Sequence, residues 1–162
     1  RGDAILESYA AGWGIEARAK RLAATNPRYA ALRESVGRDL TVKDLAAADR
    51  AGNAAAAECL DLAIAALAEG IQQVIKLLCP RRIVIGGGVS LIGEERFFEP
   101  LRRRVAEGAF EAFAGLTDIV PAALGEEVVV HGALLLARRK LNPISRDPTG
   151  SAEAARSPLG RG

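Results

Sequence analysis

The sequence predicts an α/β domain, helix-rich with few strands, and three observations predict it. Leu60, Ile64, Leu67, Ile71, Val74 and Leu78 recur at steps of four and three, which places them on one core-facing side of a long helix. Pro80 stops that helix, because proline lacks an N–H and constrains the residue before it. Ile83-Val84-Ile85 then reads as a short buried strand, and Gly86-Gly87-Gly88 follows at once. Residues without a Cβ at the carboxyl end of a strand let a flat or charged ligand approach the backbone, and open α/β sheets bind their ligands there.

Upstream, Ile5, Leu6, Tyr9, Trp13, Ile15, Ala19 and Leu22 give residues 3–24 a helical pattern that Gly12 and Gly14 interrupt. Glycine in a helix interior costs about 1 kcal/mol relative to alanine. The pair therefore marks a turn opening there, or a close approach by a ligand or neighbouring backbone. Trp13 between them reads as core, with stacking on a base as the alternative. Asn26-Pro27 breaks the chain, and residues 28–36 form a short helix ended by Gly37. Thr41 is an N-cap with Asp44 three residues on, close to a capping box, opening a helix over 42–51. Gly52-Asn53 ends that helix and caps the long one, 54–79, whose second face carries Ala56, Ala63, Ala66 and Gly70. Such small residues admit a closely packed helix, either from this chain or from a second subunit.

Beyond the glycine turn, Glu94 and Glu95 suit the positive end of a helix running through Phe97, Leu101, Val105 and Phe110 to about residue 114. Residues 117–122 read as a second strand, with Pro121 at its end or on an edge. Val130, Leu134, Leu135 and Ala137 fit a terminal helix, although Val128-Val129-Val130 fits an extended stretch equally. Past Leu141, proline, glycine and serine take over, so residues 142–162 are expected to be a disordered tail. Two strands beside five or six helices make a poor sheet. Methionine is absent even from position 1. The expectation is a piece of a longer protein whose preceding segment supplies the missing strands.

With 162 residues, 49% of them hydrophobic, the chain is long enough for one compact domain. A net charge of +2 with scattered Lys and Arg does not demand nucleic acid. The clusters at residues 102–104 and 138–140 fall where a helix faces solvent or ends, and cations suit a helix end. Cys59 and Cys79 lie on one long helix, about 30 Å apart at its usual rise, so they are expected to be reduced. No apolar run reaches the roughly 18 residues a membrane helix needs, and a cytoplasmic protein with no membrane partner is expected. The lone His131 reads as a packed or surface histidine.

Ile83 to Ser90, IVIGGGVS, following Leu77-Leu78-Cys79-Pro80, resembles the adenosine motif of the ROK family (repressors, open reading frames and sugar kinases). Glu7-Ser8-Tyr9-Ala10-Ala11-Gly12 is similar to that family's E-A-Y-A-S-G run, and Leu124-Gly125 with His131-Gly132-Ala133-Leu134 to its closing LG…GA helix. The similarity keeps the family's order from Ala4 to about Leu141. It implies the actin-like, ribonuclease-H-like ATPase fold, with residues 1–141 as most of the C-terminal lobe of a glucokinase-like protein. It also implies ATP with Mg2+ as cofactors and a hexose or N-acetylated amino sugar as substrate; a homo-oligomer is expected from the small-residue face of the long helix. Gly86, Gly87 and Gly88 match adenosine-contacting glycines, and Gly12 matches a glycine on the same wall of the nucleotide site. Valine at Gly87 is expected to crowd the nucleotide with little loss of stability. Glu7 matches the glutamate that hydrogen-bonds sugar hydroxyls, a task an ionised carboxylate can perform because it accepts several hydrogen bonds. Without the resemblance, Glu7 is a solvated acid in the first turn of a helix.

Two departures from the family pattern matter. Its zinc motif, C-x-C-G-x-x-G-C, has no counterpart in Arg1-Gly2-Asp3-Ala4-Ile5-Leu6, so zinc is left undecided. Its D-x-G-x-T phosphate loop and catalytic aspartate precede the matched region. No residue here takes a catalytic role, and this chain alone is expected to be silent. The same lobe serves ROK transcriptional repressors as a sugar sensor, and a nucleic-acid partner is expected only in that alternative.

Overall fold

The structure, a computed structural model, describes residues 5–141 apart from the side chain of Glu126; the tail expected over 142–162 lies outside the described residues. A compact unit ends at Glu126, and a second begins at Glu127.

The first unit opens with two helices in place of one, α1 (Glu7–Ala10) and α2 (Gly12–Ala23). Ala11 between them is extended, with ψ at 156°. The turn expected from the two glycines is therefore present, and Gly14 shows why it needs glycine. A Cβ there would fall on the carbonyl of Ser8 and 2.9 Å from that of Glu7. The break also corrects the reading of Trp13, which is 53% exposed and not core, while Ile15 two residues on is fully buried.

Helix α3 (Pro27–Val36) starts on Asn26, whose side chain accepts from the N–H of Arg28, and ends on Gly37 in the left-handed region. Helix α4 (Val42–Arg50) has the anticipated capping box between Thr41 and Asp44. Asn53 then accepts from the N–H groups of Ala55 and Ala56 to start α5 (Ala54–Leu78).

Helix α5 is the spine of the unit, packed by α1, α2, α3, α4 and α6. Its N-terminal half is buried through Ala56, Cys59, Leu60, Ala63 and Ile64, and its C-terminal half through Ala68, Ile71 and Ile75. The small-residue face packs within this chain: Ala56 and Ala63 are core, and a Cβ on Gly70 would lie 2.6 Å from Leu6. The expected stripe is corrected at its end, where Val74 and Leu78 turn outward, the latter 74% exposed. A four-three pattern drifts about 20° per heptad on a straight helix, so its last members leave the buried side. Cys79 closes α5 in the left-handed conformation. Both cysteines are free, Cys59 buried and Cys79 exposed.

Strands β1 (Arg82–Ile85) and β2 (Asp118–Pro121) form a parallel pair with Ile83 opposite Ile119 and Val84 opposite Val120. Ile119 is buried and Ile83 and Ile85 pack partly against the core, but Val84 is 59% exposed. The strand expected to be buried is therefore covered on one face only, whereas parallel sheets are ordinarily covered on both.

Between the strands run a tight turn (Gly88–Ile92), a wide turn (Glu94–Phe98) and α6 (Glu99–Glu107). The helix expected to reach residue 114 stops at Gly108 instead, leaving Phe110 exposed. Gln72 explains the stop: its side chain fills the space a Cβ on Gly108 would need and donates at 2.9 Å to the carbonyl of Arg104. Phe97 and Phe98, edge to face at 5.1 Å, and Leu101 anchor this segment in the core. In the second unit, α7 (Val128–Leu141) is helical from Val128, which resolves the ambiguity of that stretch, and it buries none of its residues. His131 lies 3.7 Å from Glu127, one helical turn away, as a surface histidine.

The capping box carries a pH signature. The Thr41 hydroxyl donates to Asp44, and this bond, against an opposing push from burial and with help from the Thr41 N–H and Arg38, holds the Asp44 carboxyl below its ordinary value. A group depressed in the folded state stabilises above its unfolded pKa, and that stability is lost as pH falls through the folded value. Asp44→Asn is expected to lower Tm at neutral pH by the equivalent of about 1 kcal/mol. The gap should close as the pH drops below about 4. Thermal melts across that range check this, and a gap independent of pH would contradict it.

Candidate functional site

Strand β1 delivers the chain to three glycines that serve different ends. A Cβ on Gly86 would come within 3.2 Å of the Ala122 Cβ, where the Ala122 N–H donates at 2.8 Å to the Ile85 carbonyl. Gly86 thus lets the two strand ends run close together. Gly87 has φ 85° and ψ 177°, and Gly93 has φ 106° and ψ 177°, a region that only glycine occupies readily. These two bracket the turn Gly88–Ile92, which Ser90 locks by donating its hydroxyl at 2.7 Å and its N–H at 3.1 Å to the Gly87 carbonyl. The expectation that valine at Gly87 costs little stability is corrected, since a β-branched residue is strained at that φ. Gly88 stands apart. Its φ lies outside the left-handed region, and no atom lies within 4 Å of where its Cβ would be.

Arg96 fixes this turn to the helices. Its Nε donates to Asp49 on α4, its Nη1 to Asp61 on α5 at 2.8 Å, and its Nη2 to the Ala57 carbonyl at 3.1 Å. Burial alone would lower the guanidinium pKa, but the two carboxylates outweigh it and raise the value. Sequence reasoning missed this clamp, and no local pattern marks it, because Asp49 and Asp61 lie 47 and 35 positions upstream of Arg96.

Gly12 opens α2, and a Cβ there would meet Val42 of α4 at an ordinary 3.8 Å, so no neighbour demands glycine at that position. Helix α4 also packs against the turn Gly88–Ile92. It is therefore the shared wall between Gly12 and the glycine turn. Glu7, exposed at the start of α1, accepts a hydrogen bond at 3.3 Å from Trp13 Nε1, a partner the sequence did not reveal. Behind it the buried Arg18 donates to the carbonyls of Tyr9 at 3.3 Å and Cys59 at 3.2 Å, tying α1 and α2 to α5. Burial pushes the Cys59 thiol up in pKa, against the opposing effect of Arg18. That makes Cys59 a packing residue and not a nucleophile.

The open space at Gly88 suits the flat face of a nucleoside, and Glu7 suits hydroxyl groups. Among the described residues no three His, Cys, Asp or Glu side chains gather where they could hold a metal ion, so the residues present do not fit a zinc site. No described helix is long and apolar enough to cross a membrane.

The sequence profile of the ROK family matches residues 3–140. A glucokinase of Thermotoga maritima is 31% identical over 99 residues, which cover 61% of this chain and 31% of that protein. A ROK family glucokinase from Streptomyces griseus, solved in complex with glucose and AMPPNP, aligns at 26% identity and TM-score 0.68 over 83% of this chain and 44% of its own. A ROK family transcriptional regulator, a homologue of the E. coli MLC protein, shares the fold at 20% identity and TM-score 0.63, over 82% and 33% of the two chains. This chain thus spans less than half the length of each of them. Its architecture is part of the actin-like ATPase fold, as the motifs implied.

The Arg96 clamp should be measurable in the intact protein. Arg96→Met leaves the nearly buried Asp49 carboxylate unpartnered, and a loss of about 2–4 kcal/mol is expected in urea denaturation. Adding Asp49→Asn should recover part of it; a single variant as stable as the parent would contradict the clamp.

Proposed function

Because this chain belongs to the ROK family, we propose that the intact protein is an ATP-dependent sugar kinase, glucokinase-like, working in the cytoplasm on a hexose or N-acetylated amino sugar. In this reading residues 5–126 give the cleft its adenosine wall and one sugar contact. Gly88 carries the proposal. Gly86, Gly87 and Gly93 are accounted for by the protein's own packing and backbone, but nothing among the described residues requires glycine at 88. A missing side chain at the carboxyl end of a parallel strand, facing open space, is what an approaching nucleoside needs. The likeness to a glucokinase solved with glucose and AMPPNP supports the same reading.

Within that cleft Gly88, backed by Gly87 and Gly86, offers bare backbone to the adenosine, and Gly12 keeps the facing end of α2 free of a side chain. Glu7 accepts from sugar hydroxyls and orients the sugar. ATP with Mg2+ supplies the transferable phosphoryl group and neutralises its charge. The general base, the phosphate loop and the metal ligands are assigned to no residue of this chain.

A second reading, the sugar-sensing lobe of a transcriptional repressor, draws on the likeness to the ROK family regulator. It keeps Glu7 as a sugar contact but needs no phosphoryl transfer, and nucleic acid is a partner only in this case.

Steady-state kinetics of the intact protein test the proposal on both substrates. Gly88→Val, whose Cβ would meet no described atom within 4 Å, is expected to raise the ATP KM by roughly tenfold or more with the sugar KM unmoved. Glu7→Gln should do the reverse, raising the sugar KM about tenfold or more, the worth of a hydrogen bond to a charged group. Unchanged ATP affinity in the first variant removes the adenosine wall from this turn, and unchanged sugar kinetics in the second returns Glu7 to a solvated acid. Sugar-dependent DNA binding without sugar phosphorylation would establish the repressor reading instead.

A further inference from the structure

We infer that Trp13 is the positioning residue for Glu7: its indole N–H holds one carboxylate oxygen and so leaves the other directed to the sugar. The inference rests on the reading of Glu7 as a sugar contact. Trp13 is the chain's lone tryptophan, and at 53% exposed it is not committed to the core that takes Ile15 and Ala19 on the same helix. Among the described residues its side chain has one hydrogen-bond partner, the 3.3 Å contact from Nε1 to Glu7 Oε1.

The backbone is shaped to make that contact. The extended Ala11 breaks the path between α1 and α2, and Gly14 lets the first turn of α2 sit directly on the Glu7 and Ser8 carbonyls. Ser8 locks the start of α1 by donating its hydroxyl at 2.6 Å to the Ile5 carbonyl. With both helix starts fixed, residues six apart in sequence face each other across the break.

The chemistry suits the task. An indole N–H is a donor only, so it engages an ionised carboxylate without competing for the donor hydrogens of sugar hydroxyls. Among the described residues nothing else engages the Glu7 side chain, which leaves Oε2 and the remaining lone pair of Oε1 available. A free glutamate would lose rotamer freedom when it closed on a sugar, and a side chain already held loses less, so affinity rises without a new contact to the ligand.

A double-mutant cycle in the intact protein tests this, reading sugar KM, kcat and ATP KM, with thermal melts confirming that each variant is folded. Trp13→Phe is expected to raise the sugar KM about threefold to tenfold, the worth of one net hydrogen bond, without moving the ATP KM. In a Glu7→Ala background the same change should alter the sugar KM less than about twofold, because the carboxylate it positions is gone. Benzothienylalanine at position 13, which swaps the N–H for sulfur and keeps the shape, should reproduce Trp13→Phe. An equal rise in both backgrounds would show stacking or a structural role and overturn the inference, as would an inert Trp13→Phe beside a sensitive Glu7→Ala. If Glu7→Ala itself leaves the sugar KM unmoved, the reading of Glu7 fails first and this inference falls with it.

Discussion

The three-way grip of Arg96 on Asp49, Asp61 and the Ala57 carbonyl is the constraint on which the site depends. A two-stranded parallel sheet is weak by itself, and a turn bracketed by two glycines with positive φ has much backbone freedom to lose. Ser90 closes the turn from within, and what ties it to the helices is side-chain chemistry from outside it. The charge is tolerable because it is shared between two carboxylates and a carbonyl, whereas Asp49 alone in that setting would be an expensive buried anion. Phe97, Phe98 and Leu101, all buried just beyond, add the apolar half of the anchor. Arg102 extends it, reaching Glu94 and the Ile119 carbonyl from α6 and lying over the Phe98 ring.

The glycines of this chain then divide by cause. Gly14 and Gly70 exist because another group needs the space, and Gly87 and Gly93 because the backbone enters a region other residues avoid. Gly88 satisfies neither description, nor do Gly12 and Gly132; what sets Gly88 apart from them is its place just after β1, at the carboxyl end of a parallel strand. The same reasoning organises the other end of the unit. There Gly14 is a packing device whose effect is to bring an exposed indole onto an exposed carboxylate.

Much of this was legible in the sequence, and the physical reasons are local. Thr41 with Asp44, Asn26 before Pro27, Gly37, Asn53 and Pro80 are short-range signals that act on the nearest turn, and each marks an element end in the structure. The four-three spacing found α5 and the burial of Leu60, Ile64 and Ile71, but not the outward turn at Val74 and Leu78, because which side is covered at that end depends on elements distant in sequence. The length of α6 was overestimated for a similar reason: Gln72, far upstream, closes the helix at Gly108. Trp13 was misread because apolar character does not report direction once a helix is broken at Ala11. The Arg96 clamp and the Trp13–Glu7 pair join residues whose meeting only the folded chain makes visible.

The central claim is that the turn after β1 borders a bound adenosine. Photolabelling the intact protein with 8-azido-ATP tests it most directly, because cleavage after Arg82 and Arg96 releases the whole turn as one tryptic peptide, residues 83–96. The account predicts label on that peptide, suppressed by excess unmodified ATP. Protectable label confined to other peptides, with 83–96 unmodified, would contradict it.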